Sequence, residues 1–345
     1  MSESFPLIRL TGSPEQRGAS HGHQLQEKIA ATIEFYGHLL NIKEREVLDI
    51  GRYFQQQIQR QFPAYCEEIE ALASAAEQIP EWIYVLNARS ELISQSLECS
   101  TLTFRDACLL GQNWDFCETL QDLAVLLHIT LENGHQLLTL TEPGIIGKLG
   151  MNSRGLGCCV NMLHYKRRCE GIPLHIVLRS LLEATSLEQA RELAFSLPGS
   201  RVGSITAANN QNQSFCIEYA GERSWFLSPP GRINIHTNHY LGHRLNPESG
   251  AYQNSYERLR TLARLTSIFT TQNLHTMFRL LSDRSNPVYP VNRPCQTNDF
   301  SAFGNVGTLA TVVMELSTGV LHIRKGNDLG EKIISYPVVD SQQSI

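Results

Sequence analysis

The feature that most restricts this fold is a change of hydrophobic rhythm at residue 99. Before it the chain reads as helical; after it, apolar residues fall on the period of strands. In the first part, Ser13-Pro14-Glu15-Gln16 supplies a capping residue, a proline at the first helical position and a glutamine three residues past the cap. Gly18 and Gly22 then share a helical face, where missing side chains let another backbone approach. Helices are predicted over roughly 65–78 and 81–95, the second opened by Pro80, with Trp82, Leu86, Leu92 and Ile93 on one stripe. From residue 99 onward hairpins are predicted: 100–104 with 109–116, then 123–131 with 136–141 around Asn133-Gly134. Further strands are expected at 155–162, 203–209, 214–220, 223–228 and 232–237, with a closing pair at 308–316 and 320–325. Helices at 173–197, with a capping box on Ser186 and Gln189, and at 253–282 interrupt them. Antiparallel strands with two helical blocks indicate an α+β layered enzyme. Its expected division is a helical leader, 1–98, and a core, 99–345.

The bulk properties agree with an enzyme of this kind. A chain of 345 residues, 42% hydrophobic and 18% charged, has the balance of a globular protein with a sizeable core. A net charge of −5 gives no reason to expect nucleic acid or an anionic membrane as partner. The longest basic run, Lys166-Arg167-Arg168, is too short to argue otherwise. The start of the chain lacks a basic and then apolar signal, and no run approaches the ~18 apolar residues of a membrane span. Nine cysteines without paired spacing read as reduced thiols, so a cytoplasmic location is expected.

Cys99 stands at the boundary itself. A lone cysteine is more often a small buried hydrophobe than a nucleophile. The hairpin partner of its strand, however, carries Gly111-Gln112-Asn113-Trp114-Asp115-Phe116, which brings Asp115 back beside Cys99. A carboxylate between two aromatic residues on an apolar sheet needs a partner, and a protonated α-amine on Cys99 is one.

These residues carry a resemblance. The chain resembles the autoproteolytic N-terminal-nucleophile (Ntn) hydrolases of the acyl-CoA:isopenicillin N (6-aminopenicillanic acid) acyltransferase family, relatives of bile salt hydrolases and penicillin V acylases. The matching pieces are Arg17-Gly18-Ala19-Ser20-His21-Gly22, Cys99-Ser100-Thr101, Asn113-Trp114-Asp115 and Gly150-Met151-Asn152-Ser153-Arg154-Gly155-Leu156 with Asn161. Thr237-Asn238-His239-Tyr240 and Ser255-Tyr256-Glu257-Arg258 complete the set, in order along most of the chain. The resemblance implies a four-layer αββα sandwich, and a leader that stays bound as a small subunit after the chain cuts itself between Glu98 and Cys99. It also implies site roles: Asn238 as oxyanion-hole donor, Asn161 near a second donor, and Arg258 near the nucleophile. Gln112 departs from the arginine that bile salt hydrolases carry there, which weakens any bile-acid specificity.

The chemistry suits these residue types. A thiol loses its proton near pH 8.5, so a cysteine nucleophile needs a base. An N-terminal cysteine carries one: its own α-amine, with a reference pKa of about 7.7–8.0. That amine exists only after the bond before Cys99 breaks. The expected sequence is attack of the thiol on the Glu98 carbonyl, an acyl shift from nitrogen to sulfur, and hydrolysis of the thioester. Asp115 then orients the ammonium group.

Each residue has a plainer alternative: Asn238 a turn residue, Asp115 a loop residue, Arg258 a surface residue, Arg17 a structural bridge between leader and core. Cys158-Cys159 read as small core residues, and 144–157 as a turn near the pocket. His236, His239 and His243 with Glu248, or His21 with His23, lack the helical pattern of a zinc site. The expected activity is hydrolysis or transfer of the acyl group of a small N-acyl amide, or of an acyl-CoA-type thioester, through an acyl-Cys99 intermediate, with no cofactor or metal. An unprocessed Cys–His hydrolase and a non-catalytic binding protein on the same fold are the alternatives.

Overall fold

The computed structural model describes residues 3–93, 99–165, 170–227, 231–242, 245, 252–297 and 304–339. Up to residue 93 the elements are β1 (Leu7–Thr11), α1 (Pro14–Leu40), α2 (Glu44–Gln61), α3 (Pro63–Ala75), α4 (Pro80–Asn87) and α5 (Arg89–Leu92). Then follow β2 (Cys99–Phe104), β3 (Leu109–Cys117), α6 (Leu120–Leu123), β4 (Val125–Thr130), β5 (Gln136–Thr141), β6 (Leu149–Asn152), β7 (Leu156–Asn161) and β8 (Glu170–Gly171). The middle of the chain forms α7 (Leu174–Glu183), α8 (Leu187–Ser196), β9 (Gly199–Asn209), β10 (Ser214–Gly221), β11 (Arg223–Leu227) and β12 (Ile233–His236). The last elements are α9 (Gln253–Ile268), α10 (Leu274–Leu281), β13 (Gln296–Thr297), β14 (Asn305–Glu315), β15 (Val320–Lys325) and β16 (Ile333–Pro337).

Among the described residues the strands form two sheets. One runs β1-β4-β5-β6-β7-β9-β10-β11, with β8 also on β9; the other runs β12-β2-β3-β14-β15-β16, with β13 on β14. Helices α7 and α8 pack on the first sheet and α9 and α10 on the second, while β2 and β3 meet β7 and β9 between them. This is an α+β protein with two sheets and N-terminal helices.

The segment before residue 99 departs from the sequence expectation in not being wholly helical. Leu7-Ile8-Arg9-Leu10-Thr11 pairs in parallel with β4 and covers that edge of the first sheet, since an open edge would leave backbone groups unpaired. Helix α2 is a further departure; its buried Val47, Gly51, Phe54 and Ile58 form a narrow stripe diluted by charged and amide residues. The two long core helices each divide. Ser186 caps α8 by accepting from the Gln189 N–H, but the Gln189 side chain turns back to Thr185 rather than closing a box. Asn273 caps α10 in the same way, accepting from Thr276.

Gly18 and Gly22 do what their spacing suggests. A Cβ on Gly18 would lie 2.0 Å from the Glu68 carbonyl oxygen, and one on Gly22 2.5 Å from that of Leu72, so α1 and α3 touch backbone to backbone. At this crossing Arg17 binds Glu68 at 2.8 Å, and Arg179 of α7 binds the same carboxylate at 2.9 Å. Burial alone would raise the Glu68 pKa; the Arg179 and Arg17 guanidiniums outweigh it and hold the carboxyl below its usual range. Arg17 thus has a structural task, joining α1 to α3 and, through the shared Glu68, to α7.

Candidate active site

Cys99 opens β2, a strand flanked by β3 and β12. The register sets Cys99 opposite Trp114, Ser100 opposite Asn113 and Thr101 opposite Gln112. Side chains alternate between the faces of a strand. On one face Cys99, Gln112, Trp114 and Phe116 line a cavity closed by Lys148, Leu149, Val160 and Met162. On the other, Asn113 donates to the carbonyls of Leu281 and Val291, and Asp115 accepts from Thr308 at 2.7 Å.

The backbone of Cys99 is held at both ends. Its N–H donates to Asn238 Oδ1 at 2.7 Å, and its carbonyl accepts from Arg258 Nη1 at 2.6 Å. Arg258 also donates to Ser100 Oγ at 2.8 Å and, through Nη2, to Asn238 Oδ1 at 2.9 Å. A guanidinium and a peptide N–H can only donate, so the side-chain oxygen of Asn238, not its nitrogen, faces them. One N–H of its Nδ2 goes to the Met162 carbonyl at 2.9 Å.

Two short sequence pieces interlock to set this geometry. Ser255 Oγ accepts from the Asn238 N–H at 2.7 Å and donates to Thr237 Oγ1 at 2.9 Å, with His239 Nδ1 2.7 Å away. One turn further along α9 stands Arg258. Glu218 clamps the far side, accepting from His236 Nε2 and from the N–H groups of Leu241 and Gly242. Asn161 lies at the end of β7, where its Oδ1 accepts from Thr101 Oγ1 at 2.8 Å and its Nδ2 reaches the His236 carbonyl at 3.4 Å, tying one sheet to the other. The Asn152 side chain closes the β6–β7 turn from within and holds the last carbonyls of α7.

The four predicted residues other than Cys99 therefore fall into three settings. Asn238 and Arg258 contact the Cys99 backbone directly. Asp115 sits one register step beyond Cys99, and Asn161 contacts Thr101 two residues along the strand. Arg258, expected near the nucleophile, reaches Cys99, Ser100 and Asn238 by hydrogen bonds and Asp115 through charge. Glu98, the expected acyl side of the cleavage, lies outside the described residues, as do the basic run 166–168, His243 and Glu248.

The electrostatics keep the thiol quiet. Burial, then the Asp115 charge, pushes Cys99 up to about 11, against the Asp115 backbone N–H, Lys148 and Arg258, which all act the other way. Burial pushes Asp115 up to about 7, although Arg258 and Thr308 favour its charged form. Its Oδ2 is buried with no hydrogen-bond partner among the described residues.

Other residues of the site were not singled out in the sequence. Lys148 lies in the stretch read as a turn near the pocket, a lone cation among apolar neighbours. It binds Glu142 at 3.0 Å, a carboxylate shared with Arg89 at 2.7 Å. Arg89 and Ser90, from the segment before residue 99, line the Cys99 cavity together with His175. His175 contacts the Gly147 carbonyl through Nδ1 and Ser90 Oγ through Nε2. Cys158 and Cys159 are buried on β7, and Cys159 is close enough to feel the charge of Cys99. Among the described residues no three His, Cys, Asp or Glu side chains are placed to share a metal ion. None of the described helices is long and apolar enough to cross a membrane.

Residues 103–329 match the family described as acyl-coenzyme A:6-aminopenicillanic acid acyl-transferase. The 40 kDa form of acyl-coenzyme A:6-aminopenicillanic-acid-acyltransferase from Emericella nidulans is 32% identical over 68% of this chain and 69% of its own length. Among solved structures, a mutant of conjugated bile acid hydrolase from Clostridium perfringens aligns at 15% identity and TM-score 0.49, covering 72% of this chain and 93% of its own. Penicillin V acylase from Agrobacterium tumefaciens aligns at 10% identity and TM-score 0.45, covering 71% and 86%.

Proposed function

The chain belongs to the acyl-coenzyme A:6-aminopenicillanic acid acyl-transferase family, and on that premise we propose that it is a self-processing cysteine enzyme of the Ntn type, with an αββα sandwich. It cuts its backbone between Glu98 and Cys99. It then hydrolyses or transfers the acyl group of a small N-acyl amide or acyl thioester through an acyl-Cys99 intermediate. Residues 1–98 remain as the small subunit and 99–345 form the catalytic core. The named substrates of the relatives make an acyl-CoA donor or an acylated β-lactam amine the first compounds to try.

The observation that carries this reading is the hold on Cys99. Its nitrogen and its carbonyl are each gripped by a side chain from a distant part of the sequence, while its sulfur faces a cavity. A structural cysteine in a strand needs none of this. The partners act at the two stages as follows. Before cleavage, Asn238 and Arg258 fix the bond before Cys99 against the sulfur. After it, the Asn238 oxygen orients the new α-amine, which serves as base for its own thiol, and the unpartnered Asp115 oxygen supports the ammonium form. The second Nδ2 hydrogen of Asn238 is available to an oxyanion, with the backbone near Asn161 as the second donor region; such donors contribute a few kcal/mol to the barrier.

Intact-mass measurement of purified protein tests the reading. Two fragments dividing between Glu98 and Cys99 are expected, with Cys99→Ala remaining whole. An uncut chain that still hydrolyses amides would instead favour a Cys–His mechanism through His175, the histidine on the same cavity.

A further inference from the structure

The cavity beside Cys99 holds a cation that the reading above leaves without a task. Lys148 projects from the loop between β5 and β6 and is 3% exposed. Its Nζ lies 3.0 Å from Glu142 Oε2 and 3.4 Å from the ring centroid of Trp114. Trp114 is the residue directly opposite Cys99 on the neighbouring strand. An ammonium has three donors; the carboxylate takes one and the ring face a second, which leaves a third. Lys148 and Cys99 both line a cavity of about 20 Å³, the room of a single water.

The charges around Lys148 make it the group that yields its proton. Glu142 must serve two cations, since Arg89 binds it at 2.7 Å, and it also accepts the Tyr36 hydroxyl at 3.0 Å. His175, on the α7 side, is held far below its usual pKa by burial and then by Arg89, and so adds no charge. On the β2 side the facing group is the Cys99 thiol itself. One carboxylate thus stands against two buried cations, and a guanidinium does not deprotonate. Burial, opposed by Glu142 and reinforced by Arg89, brings Lys148 down to about 7. Asp115 is no rival from the same face: alternation turns its carboxylate to the opposite side of the sheet, where Thr308 binds it.

Self-cleavage has a requirement that the mature enzyme does not. The α-amine that later serves as base is still an amide. We propose that Lys148, as the free amine, is the base of the self-cleavage step, taking the Cys99 thiol proton across the cavity through one water. This rests on the reading that Cys99 cuts its own chain. The thiolate then attacks the Glu98 carbonyl carbon, forming the C–S bond as the carbonyl electron pair moves to oxygen. Collapse of this adduct breaks the C–N bond, and the Cys99 nitrogen takes a proton returned from the Lys148 ammonium through the same water. A second water hydrolyses the thioester to the Glu98 carboxylate and the Cys99 thiol, and the proton this releases goes to the new Cys99 α-amine. Lys148 ends as it began.

The test is a time course of cleavage by intact mass on freshly synthesised precursor. Wild type is expected to cut faster as pH rises through about 7. Lys148→Arg, which keeps the charge but cannot act as base, is expected to cut about 100-fold slower or worse, the lower end of a general base's contribution. Lys148→Ala is expected to regain cutting when ethylamine is added, at a rate that grows with the free amine. A Lys148→Arg chain that cuts at the wild-type rate would overturn the proposal. So would a flat wild-type pH profile, or ethylamine leaving Lys148→Ala uncut. A wild-type chain that is never cut before Cys99 defeats the underlying reading instead, and the Cys99→Ala chain is the uncut reference for both.

Discussion

At the scale of single residues, the site stores groups in protonation states they would not hold in water. Asp115 shows this most directly. Its ordinary carboxyl pKa is near 3.8 and burial moves it to about 7. A raised pKa in the folded state means that the native chain binds more protons than the unfolded one between those values. Stability from this residue is therefore full below about 4 and is lost as pH rises through about 7. Asp115→Asn should flatten that part of the stability curve, measured by urea melts at stepped pH; an unchanged slope would contradict it. Glu142 has the opposite sign. Burial alone would raise it, but Arg89 and Lys148 carry it down to about 2, so its contribution is present at neutral pH and disappears only in acid. Glu68 is a costly carboxylate to remove, since two buried guanidiniums share it. Glu68→Ala leaves Arg17 and Arg179 buried without their common anion, and a loss of about 3–5 kcal/mol is expected in denaturant unfolding.

At the scale of elements, the crossing of α1 and α3 is the contact with least tolerance. The two glycines allow the backbones to meet, and the ion pair to Glu68 exists only at that distance. Gly18→Val should therefore cost about 1–3 kcal/mol through overpacking, with the melting temperature as readout, while Ala19→Ser one position away should change little. The hairpin of β2 and β3 is the second decisive element. Its register fixes which side chains accompany Cys99 into the cavity, and a slip of one residue would exchange Trp114 for Asp115. The α9 helix is the third: Ser255 and Arg258, one turn apart, address Asn238 and Cys99 together.

At the scale of the whole molecule, the segment before residue 99 is built into the body it precedes. It contributes β1 to the first sheet, Arg17 and Glu68 to a buried ion cluster with Arg179, and Arg89 and Ser90 to the cavity wall. Glu91 accepts the first N–H of α7 at 2.7 Å, and His21 accepts from the Gly144 N–H. The proposed cut of one peptide bond before Cys99 would break none of these contacts. The two fragments should accordingly co-elute on native size exclusion and separate only in denaturant. Elution of free fragments under native conditions would show that the leader is a dispensable segment instead.

The α+β character and the hairpins that follow residue 99 were legible in the sequence, because periodicity and turn chemistry are local properties. Asn238 and Arg258 were picked out only by the family resemblance, and their hold on the Cys99 backbone came from the fold. The use of Gly18 and Gly22 was legible too, since helical spacing alone places them together. The strand before α1 and the breaks inside the two long core helices were not, because an edge strand and a helix end are settled by what packs on them. Above all, the sequence carried Lys148 as an ordinary lysine in a glycine-rich turn. Only the meeting of two sheets sets it over Trp114, beside a carboxylate already taken by Arg89, and on the wall of the cavity that Cys99 also lines. Its basicity is a product of burial and of neighbours distant along the chain, and neither exists until the molecule is folded.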